Sequence, residues 1–459
     1  MSTLKLKKSL TMICLMAVLV FCGMFAVSAT AGENSCPLRD YVAKPQEVFD
    51  FEVVRTVPLD KADLHVVRLT SQQWRDLTWT HWMFIMHPHE RRFEDKAMLF
   101  ITGGRNTDEP PQLDIATTMI ASALSEQIGS IVAVLMQVPN QPIKDGRWED
   151  DLIAYTFKRY LETGDPEYPL LFPMTKSATA AMDAISRLSQ QYTETPIDSF
   201  FVCGPSKRGW TTWLTAAVDD RVTGIAPMVI DVLNMGPQME RQLKSYGQYS
   251  VMIQEYVDYG VLDMELLETE RGQQLLAMVD PYAYRDAITV PKLIALGTND
   301  PYWTVDAANL YVPDLVGPTY LHYSPNAGHD LQSDSAGGVA TSLQTLASFA
   351  RLNFAGEDLP ELIWHHEDPN TLVVQWDDPE ARPILWSARS GNRDFRQSRW
   401  HRQDLQGQQR VEVAIQAPDE GWGAWFVEVQ FGGESPMRLS TAITVLPEAF
   451  PFKVEDLQQ

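Results

Sequence analysis

From Ala97 to Tyr323 the sequence repeats one texture: a short, unbroken apolar run, then a stretch with apolar residues at helical spacing. The runs are Ala97–Ile101, Ser130–Leu135, Ser199–Cys203, Gly224–Ile230, Lys292–Gly297 and Thr319–Tyr323. Between them, Ile153, Phe157, Tyr160 and Leu161 share one helical face, and Ala178, Ala181, Met182, Ile185 and Leu188 share another. A strand with no polar face is buried on both sides, and a parallel sheet covered by helices provides that burial. The pattern predicts an α/β fold with a doubly wound, mostly parallel sheet. Val53 to Arg92 alternates instead and is rich in Val, Trp, Phe and Ile, as antiparallel strands are.

Two segments depart from this rhythm. Asp231 to Val290 is far longer than one crossover helix needs. In a doubly wound sheet ligands bind at the carboxyl edge, so an insertion there reads as a helical cap over the site. A helical decoration remote from the site is the alternative. After a helix ending near Asn353, the texture shifts at Gly356-Glu357-Asp358-Leu359-Pro360, and short strands with turn residues follow. That spacing predicts a C-terminal all-β immunoglobulin-like sandwich. The expected domains are therefore residues 32–356, with the cap at 231–290, and residues 361–450.

The N-terminus carries Lys5, Lys7 and Lys8, an apolar stretch from Leu10 to Val27, and Ala29-Thr30-Ala31. This is the layout of a signal peptide, residues 1–31, cleaved before Gly32. An uncleaved anchor and a lipid on Cys22 are the alternatives. Cleavage sends the mature chain to the periplasm or outside the cell, and no later stretch is apolar enough to span a membrane. Hydrophobic content of 45% and charged content of 21% exclude wholesale disorder. A net charge of −23 excludes nucleic acid as the natural partner and leaves a small-molecule or peptide substrate, neutral or cationic. The mature chain keeps Cys36 and Cys203, expected as free thiols. His81, His87 and His89 lie close together, but a solvated strand end explains them as well as a metal does. Neither C-x-x-C nor H-E-x-x-H occurs, and no cofactor or metal is expected.

The chemistry concentrates at Phe200-Phe-Val-Cys-Gly-Pro-Ser-Lys-Arg-Gly-Trp210. A buried strand runs into Gly-x-Ser, and the helix that follows carries Trp210, Trp213, Leu214 and Ala217 on one face. Such a turn lifts the serine hydroxyl over the sheet edge and needs a small residue two positions before it. Ser206 is thus the candidate nucleophile. The common pattern has Gly two after the Ser, whereas here Arg208 stands there and Gly209 follows. The backbone N–H of Lys207 and one from the Gly103-Gly104-Arg105 turn, taken at Gly104, are the candidate oxyanion donors. A serine hydroxyl needs a base, and the base an orienting acid. Asp300 follows the fifth run and His329 the sixth, so acid and base end consecutive strands in the order Ser, Asp, His.

The runs Gly204-Pro-Ser-Lys-Arg-Gly-Trp-Thr-Thr-Trp, Gly297-Thr-Asn-Asp and Pro325-Asn-Ala-Gly-His resemble the PhoPQ-activated pathogenicity-related protein family. So do Phe172-Pro-Met-Thr-Lys-Ser, Glu149-Asp-Asp-Leu-Ile-Ala-Tyr, Leu385-Trp-Ser-Ala and Arg393-Asp-Phe-Arg. The resemblance covers nearly all of the mature chain. It implies an exported α/β-hydrolase-like protein linked to bacterial virulence and tolerance of antimicrobial peptides, without naming a substrate. Under it, Arg after Ser-Lys follows the family rather than breaking it.

Lys207 and Arg208 pose a physical question, because cations at a helix N-terminus oppose its dipole. Either they pair with carboxylates such as Asp219, Asp220 or the Glu149-Asp150-Asp151 cluster, or Arg208 meets an anionic substrate group. Glu149 and Asp150 in turn either suit a helix start or hold a substrate amine. Trp303 and Tyr302, beside Asp300, are pocket walls or packing. A serine hydrolase and a non-catalytic secreted binding protein on a hydrolase frame are both compatible with this sequence.

Overall fold

The computed structural model describes residues 36–111, 115–143, 145–191, 195–333 and 338–457. The expected signal peptide lies outside the described residues. β1 (Asp50–Pro58), β2 (Ala62–Trp74) and β3 (Leu77–Pro88) form an antiparallel meander. The six apolar runs become β4 (Lys96–Ile101), β5 (Ile131–Leu135), β6 (Ser199–Pro205), β7 (Val222–Met228), β8 (Lys292–Gly297) and β9 (Thr319–Ser324). These six are mutually parallel, and the sheet order is β1-β2-β3-β5-β4-β6-β7-β8-β9. This is the doubly wound α/β-hydrolase arrangement. From β4 the chain steps to β5 on one side and then returns to β6 on the other. The crevice at the carboxyl ends of β4 and β6 is therefore the point where strand order reverses and ligands bind.

Both faces of the sheet are covered, as the unbroken runs require. Phe200 and Val202 of β6 join the core under α1 (Pro37–Ala43), α3 (Glu149–Thr163), α4 (Leu171–Ser189) and α5 (Lys207–Val218), numbering α2 (Ile115–Ile128) between them. Phe201 and Cys203 point the other way, into a core shared with α2 and the last helix, Gly338–Ala355. Residues 231–290 fold, as expected, into a chiefly helical insertion: α6 (Met235–Tyr246), α7 (Gln254–Asp258), α8 (Met264–Glu268) and α9 (Glu270–Val279). Side-chain caps start two of these short helices, Asp263 on the N–H groups of Glu265 and Leu266 and Thr269 on that of Gly272. The last helix is α10.

The C-terminal strands differ from a self-contained immunoglobulin-like sandwich. β10 (Leu362–Asp368), β11 (Thr371–Trp376) and β14 (Arg410–Ala414) make a separate antiparallel sheet. β12 (Arg382–Ser390), β13 (His401–Asp404), β15 (Trp422–Phe431) and β16 (Met437–Ser440) instead extend the main sheet, and β17 (Thr444–Leu446) pairs with β15. The junction is one antiparallel pair, Ser440 of β16 opposite Leu321 of β9. Leu372, Val374 and Val411 of the small sheet share their core with Leu385, Val427 and Val429 of the large one, and with α10. Two β layers are present, but one of them belongs to the main sheet. No helix among the described residues is long and apolar enough to cross a membrane.

Candidate active site

β6 hands directly to α5 through Ser206, whose φ of +56° and ψ of −130° are strained for a residue with a side chain. Close packing fixes the two glycines around it. A Cβ on Gly204 would lie 2.8 Å from the Ile101 carbonyl oxygen, and one on Gly209 would lie 2.6 Å from Ile230 Cγ2. The serine is thereby raised at the carboxyl edge with the helix start beneath it. On the next strands, Asn326 N donates to Thr298 Oγ1 at 2.9 Å and Asn299 N to the Ala327 carbonyl at 2.9 Å, which locks the loops after β8 and β9 together.

Those loops deliver the two partners. His329 Nδ1 donates to Asp300 Oδ2 at 2.8 Å, which leaves Nε2 to accept from Ser206 Oγ at 2.9 Å. Asp300 is buried, and its Oδ1 accepts from Tyr302 N at 2.9 Å, so both carboxylate oxygens are held. The Tyr302 ring lies against the imidazole, centroids 4.3 Å apart at 32°. Ser206, His329 and Asp300 therefore form one continuous hydrogen-bonded line. The Lys207 N–H is the first of α5 and has no intrahelical acceptor by position. Phe100 of β4 pairs with Cys203 of β6, which sets the Gly103-Gly104 turn level with the Ser206 turn; Gly104 has φ +133°.

The charged residues beside the serine pair with one another. Lys207 Nζ lies 2.8 Å from Glu149 Oε2 and 3.0 Å from Asp150 Oδ2. Arg208 grips both oxygens of Glu149, at 2.7 and 2.8 Å, and its Nε donates to the Val138 carbonyl. Gln141 closes the ring by accepting from Glu149 N at 2.8 Å. Burial pushes the Glu149 carboxyl up, but the hydrogen bonds and charges of Arg208 and Lys207 outweigh it and hold the group at about 2. These acids compensate two cations that the dipole of α5 disfavours. Glu149 and Arg208, expected at the substrate, are not among the residues that line the cavity and are engaged with each other. Asp219 pairs with Arg221 instead. Asp150 does reach the cavity wall, where Tyr256 of α7 donates to its Oδ1 at 3.0 Å.

Ser206, Lys207 and His329 open onto a cavity of about 790 Å³, counting its mouth. Trp303 and Tyr302 are on its wall, together with Trp210 of α5 and Ile230 after β7. Residues 231–290 supply eleven of its twenty lining residues, among them Met239, Tyr256 and Leu275, so the insertion does cap the serine. None of these cap residues was singled out from the sequence. Their signal is the Met, Tyr and Leu spacing of short amphipathic helices, which marks a buried face without saying what it covers.

The three clustered histidines do not converge. His81 is buried, 3.0 Å from Ser71 Oγ and 3.1 Å from the Met136 carbonyl, and burial pushes it down to about 4. Among the described residues no group of three or more His, Cys, Asp or Glu side chains could hold a metal. Cys36 and Cys203 are both free, and Cys203 is buried.

A family model described as PhoPQ-activated pathogenicity-related protein matches residues 38–396. Over 474 aligned residues the chain is 29% identical to autocrine proliferation repressor protein A of Dictyostelium discoideum, covering 94% of each chain. Among solved structures it is similar to acetyl xylan esterase 1 from Thermoanaerobacterium sp., at 13% identity and TM-score 0.48, over 68% of this chain and 92% of that one. It is also similar to an acetyl xylan esterase from Paenibacillus sp. R4, at 15% identity and TM-score 0.48, over 68% and 90%.

Proposed function

The chain belongs to the PhoPQ-activated pathogenicity-related protein family, and from that premise we propose that it is an exported serine hydrolase cleaving an ester or amide of a small-molecule or peptide substrate. The observation that carries this reading is the line Ser206 Oγ, His329 Nε2, His329 Nδ1, Asp300 Oδ2, with both contacts under 3 Å. In the proposed reaction Ser206 Oγ attacks the carbonyl carbon while His329 Nε2 takes its proton. The carbonyl oxygen becomes an oxyanion facing the N–H groups of Lys207 and Gly104. Its collapse expels the alcohol or amine, which leaves with the proton from His329, and the acyl group stays on Ser206. Water then enters and bonds the acyl carbon while giving a proton to the same nitrogen; the bond to Ser206 Oγ breaks, Oγ takes that proton back from His329, and the acid leaves. Asp300 keeps Nδ1 protonated, so that Nε2 is free to act as base. Export rests on the basic, apolar and small-residue layout of residues 1–31.

Labelling with a fluorophosphonate probe tests the reading on the mature protein. Wild type should label; Ser206→Ala and His329→Ala should not. Asp300→Asn should slow hydrolysis on the order of 10⁴-fold, as the corresponding change does in serine proteases. Full activity of a correctly folded Ser206→Ala protein would end the proposal. A second reading, a secreted binding protein on a hydrolase frame, draws on the Dictyostelium relative, which is named for repressing proliferation. It takes the lead if wild type neither labels nor hydrolyses a broad ester and peptide panel.

A further inference from the structure

The cavity wall beyond the serine is mostly apolar. Fourteen of the twenty lining residues are aliphatic, Met, Phe or Trp. The other six are Ser206, His329, Tyr302, Tyr256, Asp150 and Lys207. The polar atoms of the last three are turned to one another, since Lys207 pairs with Asp150 and Tyr256 donates to it. A hydroxyl-rich or charged substrate group entering here would give up its water and find few partners beyond the Tyr302 hydroxyl. An alkyl group gains about fourfold in binding for every methylene it buries. Twenty residues line the cavity, more than the roughly 6–12 neighbours that enclose a single buried side chain, so an acetyl group would leave part of the wall untouched.

Orientation follows from α5. The helix start that would hold the carbonyl oxygen is continuous with the cavity wall, from Lys207 to Trp210 one turn later. An ester's acyl chain and its alcohol are both bonded to that carbonyl carbon, and the wall meets the one that lies on the cap side. We infer that this cavity binds a hydrophobic group of the substrate, on the acyl or the alcohol side of the scissile bond, well beyond acetyl in size. The cap sets how long that group can be. Leu276, partly exposed on α9 and on the wall, is a specificity-determining position that takes no part in the chemistry.

The inference rests on the serine-hydrolase reading, and two series of esters test it on the mature protein. One holds the p-nitrophenyl leaving group constant and lengthens the acyl chain from acetate to decanoate. The other holds acetate constant and lengthens the alcohol. We expect kcat/KM to rise about fourfold per methylene along one of the two series until the cavity is full, with little change along the other. Leu276→Trp should shorten the preferred chain of that series by two carbons or more. Two flat or falling series overturn the apolar pocket while the hydrolase reading stands. If nothing is hydrolysed or labelled, the hydrolase reading fails. The cavity's preference is then read from octanoate quenching of Trp210 and Trp303 fluorescence. Saturable quenching lost in Leu276→Trp supports an apolar-ligand pocket, and absence of saturable binding refutes it.

Discussion

Glu149→Gln should cost stability and activity together. The Glu149 side chain is 25% exposed and holds Arg208 and Lys207, which are 9% and 7% exposed. Its carboxyl is held at about 2 rather than the ordinary 4.5. At about 1.36 kcal/mol for each pH unit, the depression corresponds to roughly 3 kcal/mol at neutral pH. That agrees with the ~3–5 kcal/mol lost when one partner of a buried ion pair is removed. The folded-state pKa is depressed, so the contribution is complete above the unfolded value near 4.5 and disappears as pH falls through 2. Roughly half of it should remain at pH 3. Urea denaturation of wild type and Glu149→Gln at pH 7 and pH 3 measures this. The expected deficit is about 3 kcal/mol at pH 7 and about half that at pH 3. Because Glu149 anchors the two residues that follow Ser206, kcat should also fall with KM little changed. Wild-type stability at pH 7, or an equal deficit at both pH values, refutes the reasoning.

Gly103→Ala should destabilise by about 1–3 kcal/mol and reduce kcat, because its Cβ would lie 2.3 Å from an Arg208 guanidinium nitrogen that Glu149 holds in place. Adding Arg208→Ala should relieve the crowding, so a double variant no better than the sum of the two losses counts against this account. The native protein should expose one reactive thiol, Cys36, and show the second only on unfolding. Cys203 is buried, and burial raises its thiol far above the ordinary range, which keeps it protonated. Two fast thiols in the native state, or none after unreduced denaturation, contradict that assignment.

The six central strands were legible because burial on both faces leaves an unbroken apolar run, and six such runs alternating with helical stretches fit a parallel sheet covered on both sides. Ser206, Asp300 and His329 were legible because each directly follows one of those runs, so finding the strand ends finds the residues. Glu149 and Arg208 were harder. Their charge and helix position fit both a substrate contact and a buried pair, and the difference lies in side chains 59 residues apart in sequence meeting across the β4 loop. The C-terminal region was legible as all-β, but the partners of its strands were not. Alternation tells which face of a strand is buried but not which edge it joins, and here one pair, Ser440 with Leu321, attaches a layer to the main sheet.

The displaced glycine after Ser206 has a structural explanation in the same cluster. Two positions after Ser206, the helix faces the turn that follows β4; three positions after, it faces β7. Gly209 is the residue that meets β7, where Ile230 and the Met228 backbone leave no room for a Cβ. Arg208 can occupy the position before it only because Gly103 yields the space for its guanidinium. The side chain then crosses to Glu149 at the start of α3 and to the Val138 carbonyl after β5. One ion pair thus braces the β4 turn, the β5 loop, α3 and the nucleophile turn against each other. A turn positioned by backbone packing alone would keep its donors aligned after the pair is broken. Here the Gly104 and Lys207 N–H groups flank that brace, so loss of Glu149 should misalign them while Ser206 and His329 stay hydrogen-bonded. Fluorophosphonate labelling of Glu149→Gln should therefore slow in proportion to its kcat without vanishing, whereas complete loss of labelling would mean that the ion pair positions the serine itself.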